Sequence, residues 1–361
     1  MVIAHDFLET WGGAERVTRE MALAFPEAPV VAIMGRPSIA RQMGIEERFR
    51  AVLPPRRWLL RHYRALTPLF PALVGRARIP QADVLLSSSY AFAHRFRTPN
   101  RAPQVCYCHS PLRFAWTMTE TYRGSWAPSR PAAVAFEAMA AMMRRSDRRS
   151  SRRVDRYLTQ SPYTADQIRR FYGREAEIVE PPVDCELFHP SDGGPGDYFL
   201  LCGRLIEPYL RAEVAIEAFR HLPHRLVIAG DGPSAAELRA AAPSNVEFVG
   251  RVPDADLVEL MQGCAALVSP TLHDYGLLPI EAMACGRPVL AYAAGGALHT
   301  VVPGVTGALF EAQTPEAVAA AVHGFRAEDY DAARIRAHAE RWDRRRFRAR
   351  IAEVVRETAA G

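Results

Sequence analysis

The stretch His273-Asp274-Tyr275-Gly276-Leu277-Leu278-Pro279-Ile280-Glu281-Ala282-Met283-Ala284-Cys285-Gly286-Arg287-Pro288-Val289-Leu290 decides how the chain is read. A short loop carrying Gly276 and Pro279 feeds an acid at a helix start. Gly286-Arg287-Pro288 then ends that helix before an apolar strand. This layout sets a carboxylate and several backbone N–H groups at the C-terminal edge of a parallel sheet, where α/β proteins bind nucleotides.

The same alternation extends in both directions. Strands are expected near Val2–His5, Val30–Met34, Val84–Ser87, Gln104–His109, Val154–Gln160 and Ile178–Glu180, then near Tyr198–Gly203, Arg225–Ala229, Val246–Val249, Ala266–Pro270 and Pro288–Tyr292. Helix-period segments such as Ala14–Ala24, Ala165–Tyr172, Ala212–His221, Ala235–Ala241 and Leu257–Met261 separate them. Strand–helix alternation predicts parallel sheets covered on both faces. A Pro/Gly/Asp cluster from Pro181 to Gly196 interrupts the pattern and reads as a linker. The expected organisation is an N-terminal Rossmann-like domain over 1–188, a C-terminal one over 189–340 and a closing helix over 341–361, with Trp342 and Phe347 as its anchors.

Composition narrows the classes of function. The chain has 361 residues, 49% hydrophobic and 24% charged, which fits a soluble two-domain protein. No apolar run approaches the roughly 18 residues a membrane span needs. The first residues, Met1-Val2-Ile3-Ala4, already read as a strand and leave no room for a leader, so a cytoplasmic location is expected. Net charge is +5, carried by arginine, because the chain contains no lysine; lysine-based covalent chemistry is thereby excluded. The six cysteines are scattered and read as reduced, buried thiols. No metal site is expected: Cys106-Tyr107-Cys108-His109 lacks a second ligand pair, and Asp254-Ala255-Asp256 and Asp329-Tyr330-Asp331 read as caps or turns.

Several loops carry chemistry. Gly12-Gly13 lies between the first strand and the first helix, where small residues let backbone N–H groups approach a phosphate. His109, in Cys108-His109-Ser110-Pro111, ends a strand and should face a cleft. Arg113 and Trp116 follow; they line the acceptor side, or else meet solvent and core respectively. Gly203-Arg204 and Gly230-Asp231-Gly232-Pro233 are sheet-edge turns, and Phe248-Val249-Gly250-Arg251-Val252 ends another strand.

Two stretches are strongly basic. Pro54 to Arg64, followed by Leu66–Leu73, mixes cations with large apolar groups and reads either as an interfacial membrane surface or as a packed helix with a basic face. Arg144 to Arg156 reads as a solvated helix face or a site for an acidic partner. No nucleic-acid motif accompanies this charge.

Taken in order, these segments resemble the retaining nucleotide-sugar glycosyltransferases of the GT-B fold, family 4, and most closely their mannosyltransferase-like subgroup. The resemblance covers nearly the whole chain. It implies two Rossmann-like domains facing across a cleft, with the C-terminal helix crossing back to the first. It implies transfer of a hexose from a nucleotide diphosphate sugar, GDP-mannose by default, to a glycan, lipid-linked or small-molecule hydroxyl, with retention and no metal or other cofactor. It also implies a cytoplasmic protein that can sit at the inner membrane surface.

The resemblance also assigns roles. Gly12, Gly13, Gly230 and Gly232 would line the donor diphosphate, and Arg204 would stabilise the leaving nucleotide. Arg251 and Val252 would hold the base, Gly276 and Leu277 would belong to the donor loop, and Glu281 would accept from the ribose hydroxyls. His109 would lie by the donor sugar. Two positions depart from the family's pattern. Leu210 stands where a lysine is usual, and His273 stands where a second glutamate grips the donor sugar. The departures imply either an atypical donor sugar or a catalytically impaired homologue acting as a nucleotide-sugar binding or partner subunit.

Overall fold

The structure, a computed structural model, describes residues 1–54, 63–127 and 129–360. The chain forms two compact units: Met1–Pro182 with Arg345–Gly361, and Val183–Arg344. Most of the cationic stretch from Pro54 to Arg64 lies outside the described residues.

The first unit is built on seven parallel strands: β1 (Val2–Leu8), β2 (Val30–Gly35), β3 (Phe49–Ala51), β4 (Leu85–Ser89), β5 (Gln104–Cys108), β6 (Arg156–Thr159) and β7 (Ala176–Ile178). Their order is β3-β2-β1-β4-β5-β6-β7. All seven residues of β1 are buried, as a central strand covered on both faces requires. Alternate residues serve opposite layers: Ile3 joins the core holding Val17 and Met21, while Val2 and Ala4 join the core holding Phe70 and Phe136.

The second unit has β8 (Tyr198–Cys202), β9 (Arg225–Ala229), β10 (Val246–Gly250), β11 (Ala266–Ser269), β12 (Val289–Tyr292) and β13 (Gly307–Phe310), in the order β10-β9-β8-β11-β12-β13. Successive strands run outward from β8 to β10, and the chain then returns to place β11 on the other side of β8. The gap between β8 and β11 is therefore a topological switch point, where loops at the strands' carboxyl ends diverge and leave a crevice. In the first unit the corresponding gap lies between β1 and β4.

The change of unit falls at Val183, a few residues before the expected boundary. Val183, Cys185 and Phe188 are buried in the second unit's core, and Val183 bridges to Asp343. The closing segment serves both units in turn. Trp342 is buried in the second core, and the helix Arg344–Ala360 then buries Phe347, Ile351, Val354 and Val355 against the first. That i, i+4, i+7, i+8 spacing makes one apolar stripe. Arg348 donates to Glu20 at 2.5 Å, and Arg350 and Arg156 both pair with Glu177, fixing the helix along the sheet edge.

The arginine-rich stretch is more than a solvated face. Asp147, in the middle of the helix Arg130–Ser151, is fully buried. Its carboxylate accepts from Trp116 at 2.9 Å and Tyr172 at 2.7 Å, and from Arg95 at 3.2 Å with His94 also at 3.2 Å. Burial pushes this carboxyl up, but bonds from His94 and the charge of Arg95 outweigh it and hold it below the usual range. Trp116, half-buried, stacks on Phe171 at 4.8 Å and packs against the core.

Among the described residues no helix is long and apolar enough to cross a membrane. All six cysteines are buried and none is in a disulfide, and burial pushes the Cys106 thiol up to about 12.

Candidate functional site

In the first unit the candidate residues gather at the carboxyl ends of β1, β4 and β5. Asp6 organises this edge. Its two oxygens accept four backbone N–H bonds, from Tyr90, Ala91, Phe92 and Ala93, at 2.6 to 2.8 Å. The loop after β4 is thereby locked to β1 at the switch point. The chain leaves β1 through Gly12, whose extended backbone (φ −145°) precedes the helix Gly13–Ala24 with no side chain capping it. The first turn thus keeps N–H groups that an anion can use.

His109 follows β5. Its N–H donates to the Ser89 carbonyl at 2.9 Å, and its own carbonyl accepts from Gln160 at 2.9 Å. Its Nε2 lies 2.8 Å from Ser88 Oγ, and its ring packs edge-on against Tyr107 at 5.2 Å. Burial, then the neighbouring His5 and Arg113, push its pKa down to about 3, so the imidazole is neutral.

In the second unit the loops after β8, β9 and β11 meet at the switch point. Gly230 permits the closest approach: a Cβ there, at φ +151°, would lie 1.8 Å from the Gly203 carbonyl oxygen. Arg204 is exposed beside it. Leu210 supplies no polar contact through its side chain, which is 4% exposed and packs over Gly203 and against Phe199 and Ile216. Arg211, with a left-handed φ of +62°, is drawn to Glu213 at 3.2 Å. Glu207 caps the following helix by accepting N–H bonds from Arg211 at 2.9 Å and Ala212 at 2.8 Å. Burial, and a hydrogen bond that protonated Glu207 donates to Glu213, raise Glu207 to about 7.

The loop after β11 carries His273, half-buried and edge-on to Tyr209 at 6.5 Å. Gly276, at φ +90°, then opens the helix Leu277–Ala284. Glu281 in this helix is only 3% exposed. A carboxylate that deep is costly unless donors surround it. A small cavity at the switch point is lined by Cys202, Leu210, Ser269, Thr271, His273 and Leu278. Arg251 is exposed after β10, with Val252 half-buried beside it.

Sequence reasoning passed over Gly295-Gly296 after β12. A Cβ on Gly296 would lie 2.1 Å from the Tyr275 carbonyl oxygen, and Gly296 donates its N–H to His273 at 2.9 Å. The pair clamps the loop that carries His273. Adjacent glycines following an apolar strand were the available signal. Among the described residues no group of three His, Cys, Asp or Glu side chains is placed to hold a metal ion.

The family description "Glycosyltransferase Family 4" matches residues 11–187, and "Glycosyl transferases group 1" matches residues 196–326. Together they leave out only the first strand, the linker and the closing helices. The chain belongs to the family 4 glycosyltransferases.

Among relatives of this family 4 chain is D-inositol 3-phosphate glycosyltransferase 1 of Catenulispora acidiphila, 32% identical over 194 residues, 45% of this chain and 46% of that protein. A D-inositol 3-phosphate glycosyltransferase of Streptomyces bingchenggensis is 28% identical over 246 residues, 58% of this chain and 54% of that protein. The chain thus spans about half the length of the curated relatives it matches. Anabaena HepE, solved in complex with UDP-glucose, superposes with a TM-score of 0.71 at 18% identity, covering 99% of this chain and 100% of that one. A glycosyltransferase from Rickettsia africae gives a TM-score of 0.64 at 15% identity, covering 99% and 98%. At such identities the likeness establishes the fold: two Rossmann-like α/β domains of GT-B type.

Proposed function

We propose that this family 4 chain transfers a hexose from a nucleotide diphosphate sugar to an acceptor hydroxyl, with retention and without an essential metal ion. The observation that carries the reading is the switch point of the second unit. There the close-packed Gly203 and Gly230 turns, with Arg204 beside them, and the loop that opens the helix Leu277–Ala284 follow the carboxyl ends of β8, β9 and β11. An arginine fork and unpaired helix N–H groups suit a diphosphate, and a buried carboxylate suits a vicinal diol. In this reading the leaving diphosphate helps deprotonate the acceptor while Arg204 holds the developing charge. Gly12 and Gly13 face the diphosphate, His109 meets the donor sugar, and Arg251 and Val252 hold the base.

The donor expected by resemblance is GDP-mannose. The UDP-glucose bound by HepE makes uridine the first alternative, and the names of the curated relatives make an inositol phosphate the first acceptor to try. Peripheral contact with a membrane surface belongs to the same reading. It is supported by the exposed stripe of Val134 and Met142, continued by Arg145, Arg149 and Arg152 on one helix face.

A second reading, a nucleotide-sugar binding or partner subunit with impaired catalysis, is favoured by one observation. Leu210 fills the expected cation position with a buried apolar side chain while Glu213 engages Arg211. Sugar release from UDP- and GDP-hexoses, with and without acceptors, tests between them. Turnover with one donor supports the transferase; nucleotide binding without turnover, gained on installing Leu210→Lys and His273→Glu, supports the second reading.

A further inference from the structure

The loop that carries His273 is held from two sides, and the glycine pair after β12 is only one of them. On that side Gly296 donates its N–H to the His273 carbonyl at 2.9 Å, and a Cβ on Gly296 would lie 2.1 Å from the Tyr275 carbonyl oxygen. On the other side the Tyr275 ring enters the second unit's core, where it is 3% exposed. There Trp342, 1% exposed, donates its indole N–H to the Tyr275 hydroxyl. A second tie runs beside the first. His338 donates its Nε2–H to the Thr300 carbonyl at 2.9 Å and packs edge-on against Trp342 at 5.0 Å. The helix Ala332–Ala339 and the turn ending at Trp342 thus support both the loop after β11 and the short helix Ala297–Thr300 after β12.

Trp342 is itself fixed through its backbone. Val183 donates its N–H to the Trp342 carbonyl at 2.8 Å, and Arg344 donates its own N–H to the Val183 carbonyl at 3.0 Å. The Arg344 side chain also pairs with Asp184 and Glu186. The indole is therefore presented on a strut that does not depend on Tyr275. A buried indole N–H needs a partner, because leaving it unpaired costs more than the bond contributes when made. The helix Leu277–Ala284, by contrast, has other supports. Ile280, Ala282 and Met283 are fully buried, and Arg336 donates to the Ala284 carbonyl at 2.8 Å. What the Trp342–Tyr275 bond adds is the placement of the loop just before that helix.

We infer that Trp342 and Tyr275 are positioning residues for the donor's sugar, fixing the height of His273 without touching the ligand. The inference deepens the proposed function and rests on it for the ligand named. In that reading His273 stands at the sugar end of the donor and Glu281 at the ribose. Breaking the bond therefore weakens a nucleotide sugar and spares a nucleoside diphosphate, because Glu281 keeps its place in the packed helix.

The test uses the full chain with Tyr275→Phe, Trp342→Phe and both changes together. Tyr275→Phe removes one hydroxyl and keeps the ring, so it reads the bond even if the indole variant does not fold. Backbone hydrogen exchange of the unliganded proteins comes first. Exchange at 274–278 should quicken in each variant, while β8 and β11 keep their protection. UDP, GDP and their hexose derivatives are then titrated. Affinity for the nucleotide sugar should fall by about fivefold, the size of one hydrogen bond, with the matching nucleoside diphosphate changed by less than about twofold. The double variant should lose no more than Trp342→Phe alone, since both changes act on one bond. Unchanged exchange at 274–278, quickening spread evenly over the second unit, additive losses, or an equal loss for nucleoside diphosphate and nucleotide sugar would overturn the inference. If the unaltered protein binds no nucleotide sugar, the proposed function fails, and the exchange result alone still decides this inference.

Discussion

Thr271 donates its hydroxyl proton to the backbone carbonyl of Leu210 at 2.7 Å, tying the loop after β11 to the loop after β8 across the switch point. Thr271 is 2% exposed, so water cannot replace it if it is lost. Thr271→Val keeps the shape and leaves the carbonyl unpaired, at a cost of about 1–3 kcal/mol. Chemical denaturation should show that loss. Nucleoside diphosphate affinity should fall with it, because the two loops are no longer held at one spacing. Unchanged stability would mean that the bond contributes nothing.

Asp6 concentrates the first unit's edge on one side chain. Asp6→Asn replaces half of its acceptor capacity with an N–H₂ group facing backbone donors. Hydrogen bonds to charged groups contribute about 1.5–3 kcal/mol each. The variant should therefore lose at least about 3 kcal/mol, seen as a large fall in melting temperature. A shift within a degree or two would show that the loop after β4 is held by other contacts.

Phe347 tests the closing helix. It is 3% exposed and packs edge-on against Tyr107 at 5.7 Å. Phe347→Ala should cost about 3–5 kcal/mol by lost burial and the cavity left behind. Limited proteolysis should then cut near the C-terminus first.

Glu207 predicts a pH dependence. Its carboxyl rises from 4.5 to about 7 in the folded chain, chiefly through burial and then through Glu213. The folded state therefore binds more protons than the unfolded state between those values. Its contribution to stability is fully present below pH 4.5 and is lost as pH rises through about 7. Melting curves of Glu207→Gln across this range should lack that decline. Parallel profiles for the variant and the unaltered protein would contradict the assignment.

Much of this was legible in the sequence, for identifiable reasons. Central strands such as β8 and β11 are continuous apolar runs, and Gly276 and Gly286 bracket the helix between β11 and β12, so that region could be drawn from residue types alone. The three-residue edge strand β3 and the short β13 carry too few residues to show a period. Asp147 was hidden because an acid among arginines reads as surface charge; only the fold brings His94, Trp116 and Tyr172 to it. Asp6 and Ser88 were hidden for the same reason, since their partners lie more than 80 residues away for Asp6 and 83 away for Ser88 and His5. The positions of His109 after β5 and of Arg204 after β8 follow from their step beyond a strand end, whereas the roles given to them and to Glu281 rest on the family resemblance.

The central claim is that the β8–β11 switch point binds a nucleotide diphosphate sugar, and calorimetric titration tests it most directly. UDP and GDP would be titrated into the unaltered protein, into Arg204→Ala and into Glu281→Gln. Arg204 is exposed, so its replacement leaves the fold intact. The account predicts that one nucleotide binds and that each variant weakens it by about tenfold or more, equivalent to about 1.4 kcal/mol. Binding of neither nucleotide, or equal binding by Arg204→Ala, would contradict it.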